Sequence, residues 1–215
     1  MNIIADVFGI FQGQGLAQKI KEKNKLEEFV VVAVILICVF TALYGLAMGI
    51  SVSLKVGLRD MAKIPLIFLF TLLISYPAYY IPLKIVGVKE SNRQILVSII
   101  TMFFVASLTL AIAAPIIFFY GLAGDYLRQY YFIHIVIIDL ALIGGLIIMS
   151  FLLNRVVAIE DKSRLVIPVI IGTIFVGLAL WVLILFWGPY FEETKCFSRG
   201  ILRLKELFAT VKIVA

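Results

Sequence analysis

The sequence predicts an all-α membrane protein, a polytopic bundle of five transmembrane helices with an amphipathic helix at each end. Of the 215 residues, 63% are hydrophobic and 15% are charged, whereas soluble domains average about 45–50% apolar and about 25% charged residues. Uninterrupted apolar runs of about twenty residues match the hydrocarbon thickness of a bilayer. Without water, their backbone polar groups must be satisfied locally, which favours helices over loops.

Five apolar runs define the predicted spans, which cover about 29–51, 64–87, 94–121, 130–154 and 165–190. The preceding segment, 1–28, combines apolar residues at helical spacing with interspersed Lys and Glu. The last segment, 191–215, places apolar residues opposite basic ones on a helix. We expect both terminal segments to be amphipathic helices that contact a membrane surface or a partner. They flank a single transmembrane domain over 29–190.

The fourth span, 130–154, carries an acidic residue in an otherwise apolar run, and we expect the other spans to pack around it. Asp139 lies near its middle, where a carboxylate costs roughly 2.5–3.5 kcal/mol on insertion scales. The residue must therefore face protein or water, or stay protonated. Three roles remain open for it: an interhelix hydrogen bond, movement of an ion or proton, and docking against another subunit.

The polar residues His134 and Asp139 of the fourth span lie on two different faces of the helix. His134 and Asp139 are separated by about 140° around a helix, so they do not form a proton relay on one face. His134 lies in line with Ala141 and Gly145, a small-residue face that is expected to contact another helix. Asp139 shares its face with Ser150. We interpret His134 as a packed histidine that hydrogen-bonds to a neighbour.

A stripe of small residues also runs along the first span. Thr41, Gly45 and Gly49 recur at four-residue spacing, which allows two helix backbones to approach closely. The stripe predicts a helix-packing face, either within the chain or between two copies of it.

The sequence does not predict catalytic chemistry. It contains one histidine and two cysteines, too few for the common zinc sites, and we expect no metal and no cofactor. Asp60, Asp125 and Asp161 are predicted to lie in loops, so no second intramembrane carboxylate is available to pair with Asp139. The net charge of +6 is spread over loops and tails, which suits lipid headgroups and does not indicate nucleic acid. We therefore expect a protein that is not an enzyme.

The five-span layout, with the segment AKIPLIFLFTLLISYPAYYIPLKIVG after the first span, resembles the Yip-domain family and related uncharacterised bacterial five-span proteins. The resemblance implies a compact membrane bundle without enzymatic chemistry, linked to membrane organisation and trafficking. No site residue is implied by it.

The predicted function is that of a non-enzymatic scaffold or accessory subunit of a larger membrane assembly. The alternative is a small transporter or channel subunit that uses Asp139. Besides the lipid bilayer, the expected partners are other membrane subunits or further copies of the chain. Lys and Arg are distributed almost equally between the two sides of the membrane. Because the first segment usually dominates orientation, we expect a cytoplasmic N-terminus in a bacterial or archaeal inner membrane.

Overall fold

Five α-helices make up the part of the chain that the computed structural model describes, namely residues 26–50, 53–88, 92–123, 127–156 and 165–187. The helices are α1 (Leu26–Ile50), α2 (Leu54–Ile85), α3 (Asn92–Ala123), α4 (Leu127–Val156) and α5 (Val166–Trp187). No strand occurs within these ranges. The all-α prediction with five helices is confirmed. Apart from 26–28, which begin α1, both predicted terminal amphipathic segments lie outside the described residues.

Four of the helices are long and apolar enough to cross a membrane. These stretches are Glu27–Ile50, Leu54–Ile85, Asn92–Leu122 and Val136–Arg155. Within α5, the stretch Val166–Leu180 is apolar but shorter. Each helix contains one of the apolar runs found in the sequence, because such runs satisfy their backbone hydrogen bonds within the helix.

Helix α2 begins ten residues before the predicted second span. Ser53 caps it, since the Ser53 hydroxyl accepts a hydrogen bond from the backbone N–H of Val56 at 3.2 Å, as an N-cap residue does. Residues 54–63, which lie between the first two predicted spans, are therefore helical. The placement of Asp60 in a loop was wrong, because this residue lies in the second turn of α2 and is 4% exposed.

The end of α2 is fixed by a glycine turn. Gly87 has a φ of +91°, and its N–H donates to the carbonyl of Lys84 while the N–H of Val88 donates to the carbonyl of Leu83. This pair of hydrogen bonds is the Schellman arrangement, which satisfies the last carbonyls of a helix. Val88 is buried, so the turn also directs the chain back onto the bundle.

The central helix is α3. It packs against α1 and α4 and makes a smaller contact with α2, while α2 also packs against α1 and α5. In its most apolar stretch, 72% of residues are buried, compared with 28% in α4. The expectation that the other spans pack around the fourth span was therefore wrong: α4 lies at the edge of the bundle.

Helix α3 tolerates burial on most sides because its hydroxyl groups are satisfied within the helix. Each of these side chains donates to a backbone carbonyl three or four residues earlier: Ser98, Thr101, Ser107 and Thr109. Two aromatic pairs then anchor the neighbouring helices. The ring of Phe103 meets Phe68 of α2 edge-on at 6.1 Å, and Phe104 lies 6.0 Å from Phe40 of α1.

Candidate functional site

The small-residue stripe of the first span lies at the contact between α1 and α2. A Cβ atom at Gly45 would overlap the carbonyl oxygen of Asp60. One turn further on, a Cβ atom at Gly49 would lie 2.7 Å from the Cα atom of Gly57. The buried Thr41 hydroxyl donates to a carbonyl of its own helix at 2.6 Å. In this structure the stripe is occupied by a neighbouring helix of the same chain.

The second group of small residues brings α4 against α3. Ala141 is fully buried, and a Cβ atom at Gly145 would overlap the carbonyl oxygen of Met102. The adjacent Gly144 faces open space, since an added Cβ atom would have no neighbour within 4 Å. The inner face of α4 is thus defined by Ala141 and Gly145.

His134 lies on this inner side of α4 and is hydrogen-bonded to α1. Its Nδ1 atom is 2.7 Å from the hydroxyl of Tyr44, and both side chains are buried. The two rings also meet edge-on, with centroids 5.7 Å apart. His134 therefore takes the packed, hydrogen-bonded position that the sequence analysis expected of it.

A second tyrosine joins three helices at the opposite end of the bundle. The hydroxyl of Tyr79 in α2 lies 3.2 Å from the Thr173 hydroxyl of α5 and 3.8 Å from the sulfur of Met102 in α3. Tyr79 is fully buried, and its ring lies directly against Gly172. Sequence reasoning did not single out Tyr79 as a buried packing residue. The four-residue spacing from the buried Ser75 was the available signal.

Asp60 is a buried carboxylate that the sequence analysis missed. Its Oδ1 atom has no hydrogen-bond partner among the described residues, and the carboxylate interacts electrostatically with Lys63 and Arg59 on the same helix. The buried residues Val56, Gly57 and Asp60 continue the helical spacing of the apolar residues that follow. When this spacing is extended towards the N-terminus, past Lys63 and Arg59, it places Asp60 on the inward-facing side of the helix.

Asp139 lies on the outer side of α4, where it is exposed. Around it, large apolar side chains are exposed as well: Val136, Leu140, Ile143 and Ile147. No described basic side chain forms an ion pair with Asp139. Ser150, on the same side of the helix, is half-buried. His134 and Asp139 of α4 thus face opposite ways, His134 inward and Asp139 outward.

The outer side of α4 is therefore the candidate functional site, and it has the properties of a contact surface. Within the described ranges, no cluster of three or more His, Cys, Asp or Glu side chains is arranged to hold a metal ion. The buried hydroxyl and imidazole groups described above are engaged in helix packing. Two carboxylates remain chemically unusual among the described residues: the buried Asp60, and Asp139, which lies in an exposed apolar surface.

Comparison with known proteins gives this chain no relative: no protein-family model, no curated protein and no solved structure matches it. Fold and site together define a class, an all-α bundle with four helices suited to membrane crossing. The resemblance to the Yip-domain family stays a prediction.

Proposed function

We propose that this chain is an integral membrane protein that acts as a non-enzymatic scaffold or accessory subunit of a larger membrane assembly. The observation that carries the proposal is the outward placement of Asp139 in the apolar surface of α4. A carboxylate exposed to acyl chains is costly, roughly 2.5–3.5 kcal/mol on insertion scales, and a neighbouring subunit would remove that cost.

The large exposed apolar area supports the membrane part of the proposal. Bulky aliphatic and aromatic side chains are exposed along the outer faces of all five helices, including Ile35, Leu73, Ile112, Ile147 and Ile174. Soluble monomers rarely expose contiguous apolar patches of more than a few hundred Å². Lipid is the environment that covers such a surface on every side. Extending the proposal, we place all five helices across a bacterial or archaeal inner membrane, with the N-terminus in the cytoplasm.

The alternative function, a transporter or channel subunit that uses Asp139, needs this carboxylate to line a path. Intramembrane charges that move ions normally face the bundle interior or a water-filled cavity. The outward placement of Asp139 therefore favours docking over transport.

The experiment that tests the function is purification of the full chain from its native membrane in a mild detergent, followed by native mass spectrometry. The expected result is a complex of defined stoichiometry that contains this chain and at least one other membrane protein. Recovery of only the monomer with bound lipid, at several detergent concentrations, would contradict the scaffold proposal.

Transport is tested separately in vesicles that contain the purified chain. We expect no proton or cation flux above that of empty vesicles, and the same result for Asp139→Asn. A flux that the wild-type chain supports and Asp139→Asn abolishes would establish the alternative.

A further inference from the structure

We propose that the outer face of α4 binds a membrane-spanning helix of a different protein, which presents a Lys or Arg side chain to Asp139. This inference rests on the proposed function and names the partner by its chemistry. The face consists of Val136, Asp139, Leu140, Ile143 and Ile147, and we call it the Asp139 face.

The depth of Asp139 is the first argument. Helix α4 has 30 residues, and Asp139 lies about 18 Å along its axis from Leu127, within about 5 Å of the helix midpoint. A bilayer centred on the predicted span 130–154 places hydrocarbon about 15 Å to either side of residue 142, about 4.5 Å along the helix from Asp139. The short Asp side chain cannot reach the headgroups from this depth, in contrast to a long Lys or Arg side chain.

The direction of Asp139 is the second argument. Gly145 marks the side of α4 that packs on the backbone of Met102, and Asp139 is about 120° away around the helix. The exposed apolar side chains of the Asp139 face lie along the same outer side, with Ile147 63% exposed and Leu140 58% exposed. A helix that packs on this face would cover the carboxylate and the apolar side chains together.

Charge identifies the occupant. A carboxylate inside a membrane is stabilised by an opposite charge within about 4–6 Å. The apolar stretches of this chain offer none: residues 26–54, 64–83, 94–127, 129–154 and 165–194 contain no Lys or Arg. A second copy that docked face to face would bring two Asp139 carboxylates together, and like charges disfavour such a contact. The partner is therefore a different protein with a basic residue near the middle of a span.

The test uses a designed probe in place of the unidentified partner. The full chain is reconstituted into phosphatidylcholine vesicles with a synthetic Leu-rich helix of about 21 residues that carries one Lys at its centre. A second probe has Leu at that position. Energy transfer between fluorophores on the chain and on the probe measures association. We expect the Lys probe to bind the wild-type chain at least about tenfold more tightly than the Leu probe.

Three variants test whether the preference for the Lys probe depends on the charge of Asp139. Asp139→Asn keeps the size of the side chain and removes its charge, so it is expected to bind both probes equally. Asp139→Glu restores the charge and should restore the preference. Ser150→Ala, three turns away on the same side of α4, is the matched control and should behave as wild type. Circular dichroism in the same vesicles establishes that each variant is folded.

The possible outcomes are distinct. Equal binding of the two probes by the wild-type chain would overturn the inference even if Asp139→Asn did not fold. So would a Lys preference that persists in Asp139→Asn, or energy transfer between two labelled copies of the chain that depends on Asp139. If native complexes are found but the Lys preference is absent, only this inference fails. If the preference is present but no native complex exists, the scaffold proposal fails.

Discussion

The hydroxyl of Tyr44 and the Nδ1 atom of His134 lie 2.7 Å apart in the buried interior, although 90 residues separate them in the sequence. Tyr44 belongs to the last two turns of α1 and His134 to the first turns of α4. The hydrogen bond therefore fixes the depth of α4 relative to α1. It also fixes the rotation of α4, because His134 must point inward for the contact to form. With His134 inward, Asp139 faces outward.

Replacing Tyr44 with Phe is expected to destabilise the bundle by about 1–3 kcal/mol, because the buried hydrogen bond to His134 is lost while the packing volume is kept. The free energy of unfolding is measured in detergent micelles, with circular dichroism to monitor the loss of helix. Tyr76→Phe is the matched control, since Tyr76 is half-buried and stacks on Tyr80. Equal stability of the two variants would show that the Tyr44–His134 bond contributes nothing.

The adjacent glycines of α4 give a second prediction. Gly145→Ala places a methyl group against the backbone of Met102, whereas Gly144→Ala points into open space. Because backbone cannot move aside as a flexible side chain does, Gly145→Ala should cost about 1–3 kcal/mol. Gly144→Ala should be neutral or slightly stabilising, since alanine favours helix. Thermal unfolding of both variants in one detergent measures the difference, and a reversed order would contradict the packing of α4 on α3.

A third prediction concerns the attachment of α5. A methyl group at Gly172 would overlap the ring of Tyr79, and that ring is held in place by the contacts of its hydroxyl with Thr173 and Met102. We expect Gly172→Ala to loosen α5 and to increase its cleavage by added protease at least about fivefold, in line with a local cost of about 1–3 kcal/mol.

The matched control for α5 is Gly177→Ala, because a Cβ atom at that position would have no neighbour within 4 Å. Its cleavage rate should equal that of the wild-type chain. Rapid cleavage of both variants would mean that the change to alanine acts through something other than the contact with Tyr79.

The turn after α2 gives a fourth prediction. At a φ of +91°, Gly87→Ala introduces strain of about 1 kcal/mol or more. The space around position 87 is open, so a clash with neighbouring residues does not contribute. Gly87→Asn should cost less, because asparagine tolerates positive φ better than alanine. The unfolding midpoint should be highest for the wild type, lower for Gly87→Asn and lowest for Gly87→Ala. An alanine variant as stable as the wild type would contradict the turn geometry.

The location of each helix along the chain was predictable from the sequence, whereas the helices that pack against it were not. Apolar runs locate α1 to α5 because chain length and backbone satisfaction alone require a helix there. The packing order is not encoded in the same way, since all five runs are apolar on every side. Helix α3 is central and α4 peripheral, yet both read as nearly continuous Ile, Leu, Val and Phe. The isolated carboxylate in α4 suggested that the other spans pack around this helix, and they pack around α3 instead.

Asp60 shows the opposite error. Asp60 was predicted to lie in a loop between the first two spans, but α2 starts at Leu54 and carries Asp60 into the interface with α1. Nearby charged residues did not indicate whether Asp60 is buried, because a long basic side chain can extend from a packed helix to water while a neighbouring residue stays in the interior. The helical spacing of Val56, Gly57 and Asp60 held the information.

The glycine contact between α1 and α2 has a consequence for how the protein is made. It joins consecutive helices, and the atoms nearest to Gly45, Gly49 and Gly57 all belong to α1 and α2. Synthesis runs from the N-terminus, so this hairpin can close before the later helices emerge from the ribosome. Helix α3 and then α4 add on one side, and α5 comes back to α2 on the other. The Asp139 face can thus form only after α4 has been made, when α1 and α2 can already be packed together.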